Sequence, residues 1–243
     1  MKGVVLAGGK ATRLLPLTQV TNKHLLPVYD KPLIYYPLEA MARAGVEEVL
    51  LITNPEHAGH FLQLLRTGAE FGLKLTYELQ ERPGGLAQAV GLAEPFARGS
   101  KLLVLLGDNI FTHDLRPVVE SFRGQERGAV IFAAPVDEPQ HYGVVEMRDG
   151  LVVGIEEKPA VPRSNLAQTG IYLYDERVFS FMDRLAPSAR GELEITDLNN
   201  IYVSEGTMRC EVLDGYWIDA GTSHDELLEA NRKVAELRRQ GLL

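Results

Sequence analysis

The sequence predicts an α/β fold: a mixed, mainly parallel sheet with helices on both faces and a small antiparallel β portion. Three observations carry this. Short apolar runs alternate with helix-like segments along the first half, the pattern of parallel strands joined by crossover helices. In the second half, two strand-like runs flank Asp149-Gly150, a dipeptide that favours a two-residue hairpin turn. The chain has 243 residues, 45% of them hydrophobic and 24% charged, enough to bury a core without disulfide staples.

Taken in order, Gly3–Ala7, Val49–Thr53, Leu73–Leu79 and Leu102–Gly107 read as apolar strands. Helical stretches fall between them at Tyr35–Ala44, Glu56–Arg66 and Leu86–Phe96. A helix over Leu115–Phe122 leads to a strand at Ala129–Ala134. Gly143–Met147 and Leu151–Ile155 form the expected hairpin, and Gly170–Tyr174 is a return strand. Glu176–Leu185 and Thr196–Val203 are predicted helices, the second with Thr196 as its N-cap. Leu227, Ala230, Val234 and Leu237, spaced three, four and three apart, give the last helix one apolar stripe that must cover something.

Composition excludes several classes of function. Asp and Glu outnumber Lys and Arg by 33 to 25, and the formal charge of -8 has the wrong sign for holding a nucleic acid by its phosphates. The single Cys210 and six scattered histidines offer neither an internal disulfide nor paired zinc-ligand spacing, and a reducing cytoplasm is the expected location. No apolar run approaches the roughly 20 residues of a membrane helix, and Met1 leads straight into a strand. With no repeat, low-complexity tract or Gly/Ser linker, residues 1–243 are expected to form one unit.

The most informative stretch is LAGGKATRLLPLT, Leu6 to Thr18. A strand ends in adjacent glycines, and the residues that follow are irregular rather than helical. Neither G-x-G-x-x-G nor G-x-x-x-x-G-K-[ST] is present, so the common dinucleotide and P-loop patterns are absent. Gly8 and Gly9 permit close backbone approach to a ligand, while Thr12 and Arg13 offer a hydroxyl and a planar donor fork suited to polyphosphate. Taken alone, the same residues also describe a plain turn. Lys23, in TNKHLLPVYDKP, adds a second cation in an apolar segment close by.

Here the sequence resembles the sugar-phosphate nucleotidylyltransferases, and most closely those that act as glucose-1-phosphate thymidylyltransferases. The resemblance continues through PLIYYPLEAM, the GGLAQA segment from Gly84, LGDNIF from Leu106, YGVVE from Tyr142, EEKP from Glu156, TGIYLYD from Thr169 and RGELEITDLN from Arg190. Two positions depart from the family pattern. Ala11 stands where the family's loop has a third glycine, and His24 stands where close relatives often carry glutamine.

The resemblance implies a Rossmann-like fold whose nucleotide-binding part covers about residues 1–135, its sugar-binding part about 136–222 and its terminal helix about 223–239. It implies attack by a glucose 1-phosphate oxygen on the α-phosphorus of dTTP, giving dTDP-glucose and pyrophosphate, with UTP as the rival nucleotide. Such a site needs cations, backbone donors and a divalent metal rather than a strong base. Arg13 is expected on the β- and γ-phosphates, Lys23 at the α-phosphate and Lys158 on the sugar phosphate. Asp108, just past an apolar strand, and Asp219, in WIDAG, are the expected magnesium ligands. Gln80 and Gly85, with Gly8, Gly9 and Thr12, are the nucleotide-binding candidates, Gln80 for the imide edge of the pyrimidine. Asn109, Gly143, Glu157, Lys158, Thr169 and Trp217 are the sugar-binding candidates.

His57 and His60, three apart on a predicted helix, lack a third ligand in view and read as exposed polar residues. Glu194 and Asp197 fit a helix start as well as a contact role, and Tyr35 and Tyr36 read as core. A reading of another class is a regulatory protein that binds nucleotide-sugar without making it. Ala11 favours that reading; the joint presence of Arg13, Lys23, Asp108, Lys158 and Asp219 opposes it. A homo-oligomer is compatible with the terminal helix. The longer thymidylyltransferases continue through a further helical segment that helps build a second nucleotide site, so that regulatory site is not expected here.

Overall fold

Alternation along the first strand dictates the layering. In β1 (Lys2–Ala7), Val4 and Leu6 face one side of the sheet and Val5 and Ala7 the other, and all four are buried, so both faces must be covered. The structure, a computed structural model, describes residues 1–243. After β1 come β2 (Pro27–Val28), β3 (Lys31–Pro32), α1 (Tyr35–Arg43), β4 (Glu48–Thr53), α2 (Ala58–Leu65), β5 (Lys74–Leu79), α3 (Leu86–Gly91) and α4 (Glu94–Ala97). Then follow β6 (Leu102–Leu106), β7 (Asn109–Phe111), α5 (Arg116–Gly124), β8 (Ala129–Pro135), β9 (Gly143–Arg148), β10 (Leu151–Glu157) and β11 (Leu166–Tyr174). The chain closes with α6 (Ile195–Ser204), β12 (Met208–Val212), β13 (Trp217–Asp219) and α7 (His224–Arg239).

Nine strands form the main sheet, in the order β10-β9-β11-β6-β1-β4-β5, with β8 beside β11 and β12 beside β8. β6, β1, β4 and β5 run parallel, whereas β11 lies antiparallel to β6, β8 and β9. The predicted α/β class, with its antiparallel portion, is therefore the observed one. β1 sits between β4 and β6, so the chain leaves it toward one side and later returns on the other. That arrangement opens a crevice beyond the strands' carboxyl ends, where open α/β sheets bind ligands. The predicted hairpin is also present: Asp149 and Gly150 both take positive φ, at 50° and 78°, as a two-residue primed turn requires.

Three predicted elements differ, each for a local reason. The single helix expected over Leu86–Phe96 is broken into α3 and α4, since Pro95 has no N–H for the preceding turn. Glu176–Arg184 is a 3-10 helix, whose three-residue repeat lines up the buried Val178 and Phe181. Thr196 does not cap α6; Glu194 holds the cap position, and Thr196 Oγ1 donates instead to Glu157 Oε2 at 2.8 Å. The terminal stripe behaves as expected. Leu227, Ala230 and Val234 are buried against Leu14, Leu26, Val28 and Ile110, and Ser223 caps α7 by accepting from the Glu226 N–H.

Candidate active site

The loop after β1 follows the irregular course its sequence implies. Gly9 takes φ 91° with open space around it, and a short 3-10 turn over Thr12–Leu14 replaces a helix. Ala11, at the family's glycine position, sits in the left-handed region at φ 45° and ψ 43°. Its carbonyl accepts from Thr18 Oγ1 and from the Leu14 N–H, which holds the turn in place. Thr12 and Arg13 are exposed beside it.

A cleft of about 590 Å³ opens beside this loop. Eight of the residues singled out in the sequence line it: Arg13, Asn109, Gly143, Glu157, Lys158, Thr169, Trp217 and Asp219. They come from six separate stretches of chain, so the fold brings together what spacing alone could not. Asn109 organises one wall, because its Oδ1 accepts from Trp217 Nε1 at 2.5 Å and from the Gly170 N–H at 3.1 Å. The antiparallel pair β7 and β13 sets Asp219 directly across from Asn109. Lys158 is exposed at the rim, held at a positive φ of 47° by its N–H bond to the Tyr142 carbonyl. A non-glycine residue in that region is uncommon and suits a side chain aimed for a purpose.

Beneath the cleft, Lys23 and Asp108 form a buried ion pair. Burial alone would lower the Lys23 ammonium, but Asp108 and Asp219 outweigh it and hold the group charged. Burial likewise works to raise Asp108, and the charge and hydrogen bond of Lys23 hold it below the usual carboxylate range. Asp219 makes no ion pair of its own, and Lys23 and the Gly221 N–H favour its charge too weakly. Burial and the nearby Asp108 charge push its carboxyl well above that range.

Two carboxylates that repel one another suit a hard divalent cation, and two further observations agree. A side chain at Gly221 would begin 2.5 Å from Asp108 Oδ2 and 2.9 Å from Lys23 Nζ, so glycine keeps that spot clear. Thr222 Oγ1 and Glu226 Oε2, both on the cleft wall, are buried without hydrogen-bond partners. No group of three His, Cys, Asp or Glu side chains gathers with metal-binding geometry. Asp108 and Asp219 supply two carboxylates, a donor set compatible with magnesium, which commonly takes one or two and completes its shell with phosphate oxygens and water.

The remaining nucleotide candidates meet next to the cleft. Gln80, just past β5, donates from Nε2 to the Gly85 carbonyl at 3.1 Å and to Gln88 Oε1 at 2.6 Å. Its Oε1 lies 3.0 Å from where a Gly8 side chain would begin. Gly85 takes φ 94°, and a methyl there would drive into the Leu193 carbonyl. The Gly84–Leu193 and Ala87–Leu193 backbone bonds stitch this segment to the far wall.

His24, which stands where close relatives often carry glutamine, is buried and turned inward. Its Nδ1 lies 2.6 Å from Asn22 Oδ1, and its ring fills the space a Gly107 side chain would need. Burial first, then the Lys23 charge, push its pKa down to about 3. His57 and His60 stack at 5.6 Å on α2 and its approach, apart from the cleft. Tyr36 is buried with its hydroxyl on the Val28 carbonyl, and Tyr35 packs edge-on against Phe71. Sequence reasoning missed several cleft residues: Tyr142, Gln168, Arg190, Thr222, Ser223 and Glu226. Arg190 was within reach of it, since it opens the RGELEITDLN motif and pairs with Glu194 at 2.8 Å. Tyr142 likewise opens the YGVVE motif, and the others carry no spacing signal. Glu194, read as a helix start, both occupies that position and lines the cleft.

Residues 2–236 match the family model described as nucleotidyl transferase. Over 234 residues, 95% of this chain and 81% of the relative, it is 46% identical to the glucose-1-phosphate thymidylyltransferase of Neisseria meningitidis. The Mycobacterium tuberculosis enzyme of the same name is 44% identical over 247 residues, covering 100% and 85% of the two chains. A Bacillus anthracis protein crystallised with sucrose superposes with a TM-score of 0.92 at 47% identity, over 96% of this chain and 94% of that one. A UDP-glucose pyrophosphorylase solved with UDP-glucose has a TM-score of 0.83 at 24% identity, over 97% and 98%, and so shares the fold. Matched by the family model over residues 2–236 and by relatives along nearly its whole length, the chain belongs to the nucleotidyl transferase family.

Proposed function

We propose that this protein transfers a thymidylyl group from dTTP to glucose 1-phosphate, releasing pyrophosphate and dTDP-glucose. The observation that carries the reading is one cleft that brings Arg13, Lys158 and Asp219 together above the buried Lys23–Asp108 pair. Two exposed cations and one buried one match a reaction that gathers several phosphates around one phosphorus centre. The choice of thymine and of glucose follows the names of the relatives at 44–46% identity. The unpaired Cys210 suits a reducing compartment, taken here as the cytoplasm, and no helix is long and apolar enough to cross a membrane.

In this mechanism Arg13 grips the β- and γ-phosphates and follows the leaving pyrophosphate. Lys23 stabilises charge at the α-phosphorus, and Asp108 and Asp219 keep its ammonium protonated for that task. Lys158 draws the sugar phosphate into line for attack, so that a bimolecular encounter becomes a positioned one. Asn109, Gly143, Glu157 and Thr169 meet the sugar hydroxyls against the Trp217 wall, while Gly8, Gly9, Thr12, Gln80 and Gly85 hold the nucleotide. Asp108 and Asp219 are the residues that would hold magnesium, which supplies Lewis-acid neutralisation of phosphate charge when bound. No covalent enzyme intermediate is needed.

The test is pyrophosphate release on incubation with dTTP, UTP and a panel of sugar 1-phosphates, with and without magnesium. Release from dTTP and glucose 1-phosphate that stops on chelation is the expected result. Turnover that survives exhaustive chelation would remove Asp108 and Asp219 from the metal role, and preferential use of UTP would reassign the base.

A further inference from the structure

We propose that Gln168 is a specificity-determining residue, which reads one hydroxyl of the sugar phosphate by donating a hydrogen bond from its Nε2 into the cleft. The inference rests on the nucleotidyl-transfer reading above and names a contact within it. Gln168 lies in β11 where that strand's pairing with β8 shifts register, between Gln168 and Tyr172. The residue is 8% exposed, and what remains accessible of it lines the cleft beside Thr169 and Glu157.

A chain of buried hydrogen bonds decides which end of the amide faces the cleft. Tyr174 is fully buried, and burial drives its hydroxyl pKa well above the ordinary value, so it stays a donor. Asn199 Oδ1, at 2.7 Å, is the acceptor that this hydroxyl meets. An unmet donor in the core costs about 1–3 kcal/mol, so Asn199 must turn its oxygen toward Tyr174. Its Nδ2 then points the other way and donates to Gln168 Oε1 at 2.7 Å. With its oxygen claimed, Gln168 presents its NH2 to the cleft.

That NH2 has a destination. The point at which a side chain on Gly143 would begin lies 3.3 Å from Gln168 Nε2, 3.3 Å from Thr196 Oγ1 and 3.4 Å from Glu157 Oε2. Three polar groups thus crowd together against the Gly143 backbone, where a side chain would press on them, and Glu157 and Gln168 line the cleft beside it. Thr196 spends its proton on Glu157 at 2.8 Å, so the convergence offers a donor in Gln168 and an acceptor in Glu157. A hydroxyl can accept from the first and donate to the second at once. An ammonium cannot accept, and a C–H can do neither.

The experiment compares the unsubstituted chain with Gln168→Leu, Gln168→Glu and Tyr174→Phe on glucose 1-phosphate and on each of its singly deoxygenated analogues. Gln168→Glu keeps an acceptor for Asn199 and removes the donor to the sugar, so it tests the contact without changing shape. Both Gln168 variants are expected to lower kcat/KM for the parent sugar about tenfold through the sugar KM, with the dTTP KM unchanged; both should also lower Tm, because leucine leaves the Asn199 Nδ2 without its acceptor and glutamate sets a second carboxylate beside Glu157. For one deoxygenated analogue the loss should vanish, because the bond is already missing. Tyr174→Phe should give a two- to fivefold loss with the same pattern, since the relay then no longer prefers one amide orientation. Equal losses across all analogues, or a matching rise in the dTTP KM, would overturn the proposal. Turnover by the unsubstituted chain tests nucleotidyl transfer itself. The coupling is a ratio between analogues that can be measured equally by calorimetric binding, so the two readings fail separately.

Discussion

Asp219 separates stability from chemistry most clearly at the scale of single residues. Its carboxyl is raised by burial and by Asp108, so the folded state tolerates its charge poorly at neutral pH. Asp219→Asn should therefore raise Tm by a few degrees while lowering turnover by two orders of magnitude or more, a pairing that thermal unfolding and pyrophosphate assays check together. Unchanged turnover would remove the residue from the site. Ala11 is strained rather than excluded: its φ of 45° costs about 1 kcal/mol relative to glycine. Ala11→Gly should raise Tm by about 2 °C and leave the dTTP KM equal or lower. His24 adds a pH-dependent effect. Its folded pKa of about 3 lies below the ordinary 6.5, so the unfolded chain binds the extra proton between those values, and folding stability falls as pH drops through that window. The loss reaches up to about 1.4 kcal/mol per pH unit, is absent above pH 6.5, and should flatten in His24→Gln when denaturant midpoints are compared across pH.

Among the elements, legibility followed the reach of the signal. β1, β4, β5, β6 and the Asp149-Gly150 hairpin announce themselves by apolar runs and turn chemistry, and they lie where expected. β12 and the short pairs β2–β3 and β7–β13 do not, because two- to five-residue strands carry no period, and only distant partners make them strands. The site divides in the same way. Arg13, Lys23, Asp108 and Lys158 sit in motifs, whereas Gln168, Thr222 and Glu226 acquire meaning only when β11 and the start of α7 meet at the cleft. Gly85 is a case where a motif glycine has a second reason to be there. The Gly84–Leu193 stitch leaves no room for a methyl, so Gly85→Ala should cost 2 kcal/mol or more and displace Gln80 as well. A Gly85→Ala variant with unchanged Tm and unchanged dTTP KM would show that the stitch yields without cost.

On the scale of the whole molecule, the cleft stands between two kinds of support. Its phosphate side rests on the parallel sheet and the large clusters on either face, while Trp217 and Asp219 reach it on β13, immediately before α7. α7 is held by a third, smaller cluster in which Leu227, Ala230 and Val234 lie against Leu14, Val28, Tyr36 and Ile110. Leu14 ends the turn that carries Arg13, and Ile110 pairs with Ile218 between Asn109 and the Trp217–Asp219 strand. Loosening this small cluster should therefore disturb cations, carboxylate and sugar wall together. Phe61 is equally buried but sits on α2, none of whose residues lines the cleft. Val234→Ala and Phe61→Leu, each removing core volume, are both expected to lower stability by about 1–3 kcal/mol. Measured well below either Tm, Val234→Ala should also raise the KM for both substrates several-fold, because it moves the positions from which Arg13 and Asp219 act. Phe61→Leu should leave both KM values unchanged. Equal kinetic effects from the two would mean that the small cluster has no special hold on the site, and that the sheet alone sets its geometry.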